Sequence, residues 1–585
     1  MNTDCGKDHG VKQTESCETG VMLMPVESVA QGTIVQPQQL QRRLNNRQIQ
    51  LIAIGGSIGT GLFISIGSGL HSAGPAGLLL AFIFYCFFVG LVNNGMAEMM
   101  TQHPVAGGFI SLAGHFVDDA FGFAAGWNFF IYEALVIPFE ISALAIVVQY
   151  WSHDVPVWTM CLACVILYTL INCLVVNAYG EAEFWLSSGK VILVLALFLF
   201  TFITMVGGNP QGDAYGFRNW NHPGAFEEAR TSGSLGRFEG FLAALWVASF
   251  CIVGPEYISL VAAESKHPRK YIKAAYKTIY IRFFLFFIGS AIAVGIVLPS
   301  NDKTLTDILI GNGSGGSTAA ASPYVIAMKN MGVGDPRAEE QGLHCTLQSW
   351  LTTFIQINVF PHIVNALLIT SIFSAGNTYV YCASRSLYSL ALEGRAPAFF
   401  KTCTKQGVPI YALALTMAFA CLGFLQQSKQ GARVLSVLVN LVTGGAFINY
   451  LVMSITYVFY HRATKVQGID RKSLPYYGWG QPYCGYAASM FFTLVIGTFG
   501  YTSFRPFNVE AFFSCYTMTI LSILLYIFWK VVKRTSFHDP KAVDLVWETP
   551  QVDAYEAETT EESQTFWVEM GRMFMFRNFR RADRQ

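Results

Sequence analysis

The apolar stretch Leu51-Ile52-Ala53-Ile54-Gly55-Gly56-Ser57-Ile58-Gly59-Thr60-Gly61-Leu62-Phe63 places four glycines in the seven residues from Gly55 to Gly61. A glycine costs about 1 kcal/mol relative to alanine inside a helix, so each one needs a reason. Packing against a neighbouring helix accounts for two, because small residues let backbones approach closely. Four in seven predict an unwound turn. A dinucleotide-binding reading fails, since no strand precedes the glycines and no βαβ pattern surrounds them. Lipid offers no hydrogen-bond partners, so a break at membrane depth is tolerated only where the chain faces protein or a wet cavity.

Composition makes lipid the surrounding solvent. Of 585 residues, 53% are apolar and 13% charged, about half the roughly 25% charge of a soluble protein. The 38 Lys and Arg against 37 Asp and Glu leave a net charge of +1, which supplies no basic face for nucleic acid. Apolar runs long enough to cross a bilayer recur near 48–70, 77–99, 120–150, 156–176, 182–207, 238–262, 275–299, 359–386, 409–427, 433–460, 482–503 and 508–532. The expected fold class is an all-α polytopic membrane protein of about twelve transmembrane helices, occupying 48–533. The polar, Gln- and Thr-rich residues 1–47 read as a disordered tail, and residues 534–585 as a second tail. Cys161 and Cys164, the lone C-x-x-C, sit mid-run without a basic or His neighbour, so no metal site is expected.

Basic residues orient the bundle. Arg42, Arg43 and Arg47 precede the first span, Lys266, Arg269, Lys270, Lys273 and Lys277 follow the sixth, and Arg395, Lys401, Lys405, Arg462, Lys465, Arg471 and Lys472 flank spans eight to eleven. Both termini are therefore expected in the cytoplasm, and the sequon Asn312-Gly313-Ser314 outside. The acidic stretch Glu548 to Glu562 leads into Arg577, Arg580, Arg581 and Arg584, interleaved with Phe574, Phe576 and Phe579. That end either touches anionic lipid at the inner leaflet or is solvated.

The sixth span has its own interruption, Gly254-Pro255-Glu256. Proline in a helix interior costs about 3 kcal/mol, and a carboxylate at mid-membrane a few more. Paired interruptions five spans apart are the best sequence pointer to a transporter's binding site. Free N–H groups around Ser57, Ile58, Gly59, Thr60 and Gly61 attract a carboxylate. Free carbonyls at Phe250, Cys251 and Val253, with Glu256, accept from an ammonium. An α-amino acid fits both poles, as does any small solute with an anion and a cation.

Around these breaks the sequence resembles the fungal amino-acid permeases, the yeast amino acid transporter branch of the amino acid–polyamine–organocation superfamily. The motifs run in order from Arg42 to Lys533: Gly55 to Phe63; Glu98, Pro104 and Gly107-Gly108-Phe109; Gly126-Trp127-Asn128; Glu181-Ala182-Glu183-Phe184-Trp185 with Lys190; Glu264 with Pro268-Arg269; Ser374-Ala375-Gly376-Asn377 through Ala383-Ser384-Arg385. The resemblance implies two inverted five-helix repeats plus two further helices, substrate held between helices one and six, and proton-coupled uptake at the plasma membrane without a cofactor. It assigns proton coupling to Lys190, where a helix-five lysine takes the place of a sodium ion; snorkelling from a helix end is the alternative. Glu140 stands where the family carries a carboxylate, as a path-lining or proton-holding group or a structural acid, and Glu133 has a weaker claim. Ser374 and Asn377 share a helix face, placed to meet Lys190 or substrate or to pack between helices. Phe250 reads as a gate. Ubiquitin-ligase regulation through tail lysines such as Lys7 and Lys12 is a family expectation.

Two departures matter. The family often has Gly-Thr-Glu in helix six, and Pro255 here alters the break, so carnitine or a polyamine becomes the alternative substrate; a quaternary ammonium would favour an aromatic cage. A polar stretch, about 334–358, separates Asn330 from Pro361 and reads as an external insertion or a translated intron. A non-transporting amino-acid sensor of the same fold is a further alternative. No P-loop, H-E-x-x-H or nucleophile beside a His and an acid points to an enzyme.

Overall fold

The computed structural model of the chain describes residues 42–151, 155–173, 176–310, 322–333, 360–405, 407–427, 431–504, 506–558, 565–569 and 571. Lys7 and Lys12, the Asn312 sequon, the 334–358 insertion and the basic run from Arg572 lie outside them. Among the described residues no strand forms, and nine helices are long and apolar enough to cross a membrane.

The glycine-rich span opens with α1 (Asn46–Ser57), capped where Asn45 donates its backbone N–H to Gln48 Oε1 at 3.0 Å. After Ile58 and Gly59 the helix resumes in π-helical form over Gly61–Ser65 and continues as α2 (Ile66–Gln102), interrupted only at Gly74, whose φ of 73° precedes Pro75. The expected first and second spans meet there. Next come α3 (Phe109–Phe116), α4 (Asp119–Val148), α5 (Val157–Cys173) and α6 (Val176–Met205). Asp118 begins α4 as its cap, accepting from Ala120 N–H at 3.3 Å. The sixth span is α7 (Ser234–Cys251) and α8 (Pro255–Val261). It is followed by α9 (Pro268–Arg282), a π-helical turn at Phe283–Ile288, and α10 (Gly289–Val297). The remaining long elements are α11 (Phe360–Leu392), α12 (Ile410–Ala420), α13 (Gly431–Val466), α14 (Tyr483–Thr498) and α15 (Val509–Lys533), with α16 (Thr549–Glu558) after them.

Two groups of helices surround the breaks. In one, α2 packs against α7, α9, α10 and α14; in the other, α4 packs against α11, α13 and α15. The helix α1 lies against α6 and α11, so the glycine-rich break faces protein on these sides. Polar pairs lock the end of the bundle near the first helix. Buried Glu98 accepts two bonds from Arg471, at 2.7 and 2.6 Å, and a third from Gly478 N–H. The bidentate pair holds Arg471 above its ordinary range. Arg385 donates to Glu264 at 2.6 Å, and both side chains are buried.

Candidate functional site

Both expected breaks are present, and neither has the cause that the sequence pattern supplied. At the first, Ile58 is extended (φ −113°, ψ 100°), a conformation open to any residue. None of Gly55, Gly56, Gly59 and Gly61 adopts a positive φ. Their glycine is required by close approach instead. A Cβ on Gly56 would lie 3.0 Å from the Tyr257 ring, and one on Gly61 3.2 Å from Cys251 Cα. At the second, Pro255 does not interrupt a helix; it occupies the first position of α8, where the missing N–H costs nothing and the fixed φ helps. The break itself runs from Ile252 to Gly254.

Between the two breaks lies a cavity of about 20 Å³ lined by Ser57, Gly59, Gly61, Glu140, Phe250, Cys251 and Val253, together with Tyr132 and Tyr379. Several polar groups at the first break find partners within the protein. Lys190, fully buried in α6, donates from Nζ to Gly55 O at 2.5 Å. Tyr379 donates to Gly56 O at 3.0 Å. Ser57 turns its hydroxyl back to Ala53 O at 2.8 Å. Thr60 donates to Glu140 Oε2 at 2.5 Å, joining the first helix to α4. Phe250 meets Phe139 edge to face, centroids 5.1 Å apart.

Comparison with known proteins gives the family in which this geometry occurs here. A family model described as amino acid permease covers residues 48–541. The chain belongs to the amino acid permease family. It is 40% identical over 538 residues to the general amino acid permease AGP2 of Saccharomyces cerevisiae, spanning 90% of this permease and 86% of that one. It is 33% identical to the proline-specific permease of Emericella nidulans, spanning 92% and 94%. With the dicarboxylic amino acid permease of Saccharomyces cerevisiae it shares 34% identity over 87% and 80% of the two chains. These relatives are permeases, not enzymes. The permease also shares its fold with a manganese transporter of Eremococcus coleocola, at a TM-score of 0.50 and 12% identity, over 89% of this chain and 99% of that one.

Of the residues expected to meet substrate in the permease, three stand apart from the cavity lining. Ile58 and Thr60 form the turn but do not line the space. Glu256 is turned away, accepting from Gly254 N–H at 3.2 Å and from Tyr450 at 2.9 Å, so it caps α8. Ser374 and Asn377 bond neither Lys190 nor the cavity; both donate to Glu183, Asn377 at 3.1 Å. Glu183 also accepts from Ser187 at 2.9 Å, and Asn172 donates to Asn377 at 2.9 Å. Glu183 is thus the anchor that those two residues serve. It stood inside a quoted motif without a role, because its position two turns before Lys190 in α6 had no value until α11 was placed beside it. Tyr132 and Tyr379 were also missed: among 26 tyrosines, helical spacing does not mark the two that face a break.

Proposed function

We propose that this permease carries amino acids into the cell across the plasma membrane by proton-coupled alternating access, with Lys190 as the coupling group. The observation that carries this reading is the buried Lys190 ammonium on Gly55 O. It occupies the place where a bound cation would satisfy the carbonyls of a broken helix. Loss of its proton would release the first helix, so that proton binding and helix position become linked. Glu140, bonded to Thr60 across the same turn, is a second group that holds the break and lines the solute's path. The backbone of Ser57 to Gly61 would meet the substrate carboxylate, and the carbonyls of Phe250, Cys251 and Val253 its ammonium. Phe250 would act as a gate, with Ser374 and Asn377 supporting through Glu183.

Alternating access is favoured by the narrowness of the site. A cavity of about 20 Å³ holds roughly one water, so an amino acid enters only if the helices part. On the side of the chain termini, Arg43 and Leu44 donate to Glu264 O at 2.9 Å, and Lys266 returns a bond to Leu44 O at 3.0 Å. These strap the first span to the sixth and would open in an inward-facing state. In this reading twelve spans within 48–533 form two inverted five-helix repeats plus two helices. Both flanking tails, 1–47 and 534–585, are cytoplasmic, and ubiquitination of Lys7 and Lys12 regulates the permease.

Carnitine or a polyamine is the second reading, favoured by the three aromatic rings of Tyr132, Phe250 and Tyr379 around the cavity. Radiolabelled uptake in a permease-deficient yeast separates the two. Leucine, glutamate, proline, carnitine and spermidine are compared at pH 5 and pH 7. Saturable amino-acid uptake, faster at pH 5 and lost in Lys190→Ala while Lys190→Ala still reaches the membrane, is the expected result. Uptake of carnitine or spermidine alone overturns the amino-acid assignment. No uptake of any solute by protein at the plasma membrane would move the assignment to a sensor.

A further inference from the structure

Away from the substrate cavity, a groove of about 530 Å³ opens between α1 and α9. Its walls are apolar: Leu51 and Ile54 on one side, Ile281 and Leu285 on the other, with Ile281 66% exposed. Two cations line it, Arg282 and Lys270, and among the described residues no Asp or Glu does. Arg282 is only 7% exposed. Its Nη2 donates to Gln50 Oε1 and, at 3.1 Å, to Thr278 Oγ1, whereas its buried Nη1 has no partner. A guanidinium carries five donors, and leaving a buried charge without a counterion is costly. Neutral oxygens from Gln50 and Thr278 do not supply one.

Depth fixes what kind of anion can reach it. The apolar run from Phe283 to Leu298 extends about 24 Å at 1.5 Å per residue, most of a hydrocarbon core of roughly 30 Å. Arg282 therefore lies at the edge of the hydrocarbon on the side of the chain termini, with Lys270 further out and exposed. The helix changes to π winding immediately after Arg282, a deformation found frequently at functional sites. Trp567, 79% exposed at the groove, is the residue type that sits at headgroup level.

We propose that this groove holds an anionic phospholipid of the leaflet facing the chain termini. Arg282 takes its phosphate, Lys270, about three turns further out along α9, meets the anionic headgroup beyond it, and Leu51, Ile54, Ile281 and Leu285 take an acyl chain. A phosphate diester offers Nη1 the acceptor it lacks, in the forked geometry that guanidinium favours. Basic pockets between spanning helices select anionic headgroups in this way. The site is separate from the substrate cavity, so it stands or falls independently of the solute carried.

The test is native mass spectrometry of the full chain released from nanodiscs of phosphatidylcholine alone and of four parts phosphatidylcholine to one part phosphatidylserine. The wild-type chain is expected to retain phosphatidylserine over phosphatidylcholine. In Arg282→Gln that preference falls by about tenfold, because the net negative charge that distinguishes phosphatidylserine from zwitterionic phosphatidylcholine loses its buried counterion. The variant's melting temperature in pure phosphatidylcholine reports whether it folds. Lys270→Glu, a surface change at the rim, is expected to lower the preference severalfold and decides the matter if Arg282→Gln is unfolded. Equal retention of both lipids by the wild-type chain overturns the proposal. So does a preference that survives Lys270→Glu, or one that survives in folded Arg282→Gln. Millimolar inorganic phosphate is expected not to compete; displacement of the lipid by it would make this a soluble-anion site instead.

Discussion

A methyl group on Gly55 would stand 2.3 Å from Glu183 Oε1, 2.9 Å from Ser187 Oγ and 3.0 Å from Thr378 Oγ1. Three polar groups of two other helices leave no side able to yield without breaking the bonds that hold Glu183. One on Gly59 would stand 2.9 Å from Glu140 Oε1 and 3.0 Å from Ala375 Cβ. Overpacking of this kind costs typically 1–3 kcal/mol. Gly497 supplies the contrast, since a Cβ there meets nothing within 4 Å. Because Gly497 lies inside α14 and is exposed, alanine should stabilise it by about 0.5–1 kcal/mol. Thermal unfolding in one detergent should therefore order Gly497→Ala above wild type and both Gly55→Ala and Gly59→Ala below it. If Gly55→Ala melts with the wild type, the close approach of α1 to α6 is not what demands this glycine.

At the scale of an element, the broken sixth span depends on a residue far away in sequence. Tyr450 of α13 donates to Glu256 Oε1 at 2.9 Å and lies 3.3 Å from Ile252 O. The latter is a carbonyl with no helical partner in the break. Removing the hydroxyl in Tyr450→Phe leaves buried acceptors short of a donor, at about 1–3 kcal/mol. The expected outcome is a lower melting temperature, with faster hydrogen exchange at the amides of Gly254 and Glu256; unchanged exchange there would mean that Glu256 caps α8 without help.

The sequence makes the two breaks legible because four glycines crowd seven residues of one apolar run and Gly254-Pro255-Glu256 interrupts another. It misassigns their mechanism because a Cβ clash is a property of two helices, and only one of them is being read. Pro255 is the clearest case: in a string it appears mid-span, but in space it is the first residue of a new helix. Lys190 and Glu140 were legible through the resemblance to the permease family, since a lone lysine near a helix end reads equally as snorkelling. Glu183, Tyr132 and Tyr379 were not, since their value lies in which helix they face.

For the whole molecule, the residues after α15 bind the end of the bundle rather than simply trailing from it. His538 donates its backbone N–H to Val117 O at 3.0 Å, and Gln467 bonds Pro540 O and Val543 O. Trp547 stacks on His115 with centroids 4.0 Å apart, and Val543, Leu545 and Val552 are buried. Arg269 pairs with Asp553, which ties the segment to the helix that follows the sixth span. Beneath it lies His103, its Nδ1 3.4 Å from Thr549 Oγ1 and its ring among Phe116, Tyr460 and Trp547. Burial, then the neighbouring His115 and Arg269, hold His103 down to about 3, with Asp544 opposing. His115 is also held below its ordinary value, by burial.

Once the segment lifts and water enters, both imidazoles return toward about 6.5. The undocked state then binds more protons than the docked one between about 3 and 6.5, so docking is strongest above that window and weakens as pH falls through it. At pH 5 the penalty for His103 alone is on the order of 2 kcal/mol. Hydrogen exchange across residues 536–558, corrected for its intrinsic pH dependence, should be constant from pH 8 to pH 7 and rise toward pH 5. His103→Gln, which does not titrate, should flatten most of that rise and leave the part due to His115. A rise of the same size in His103→Gln would place the proton elsewhere. If protection is unchanged down to pH 5, the segment stays docked whatever the charge beneath it. Because the segment pairs with Arg269, its release would also free the start of α9.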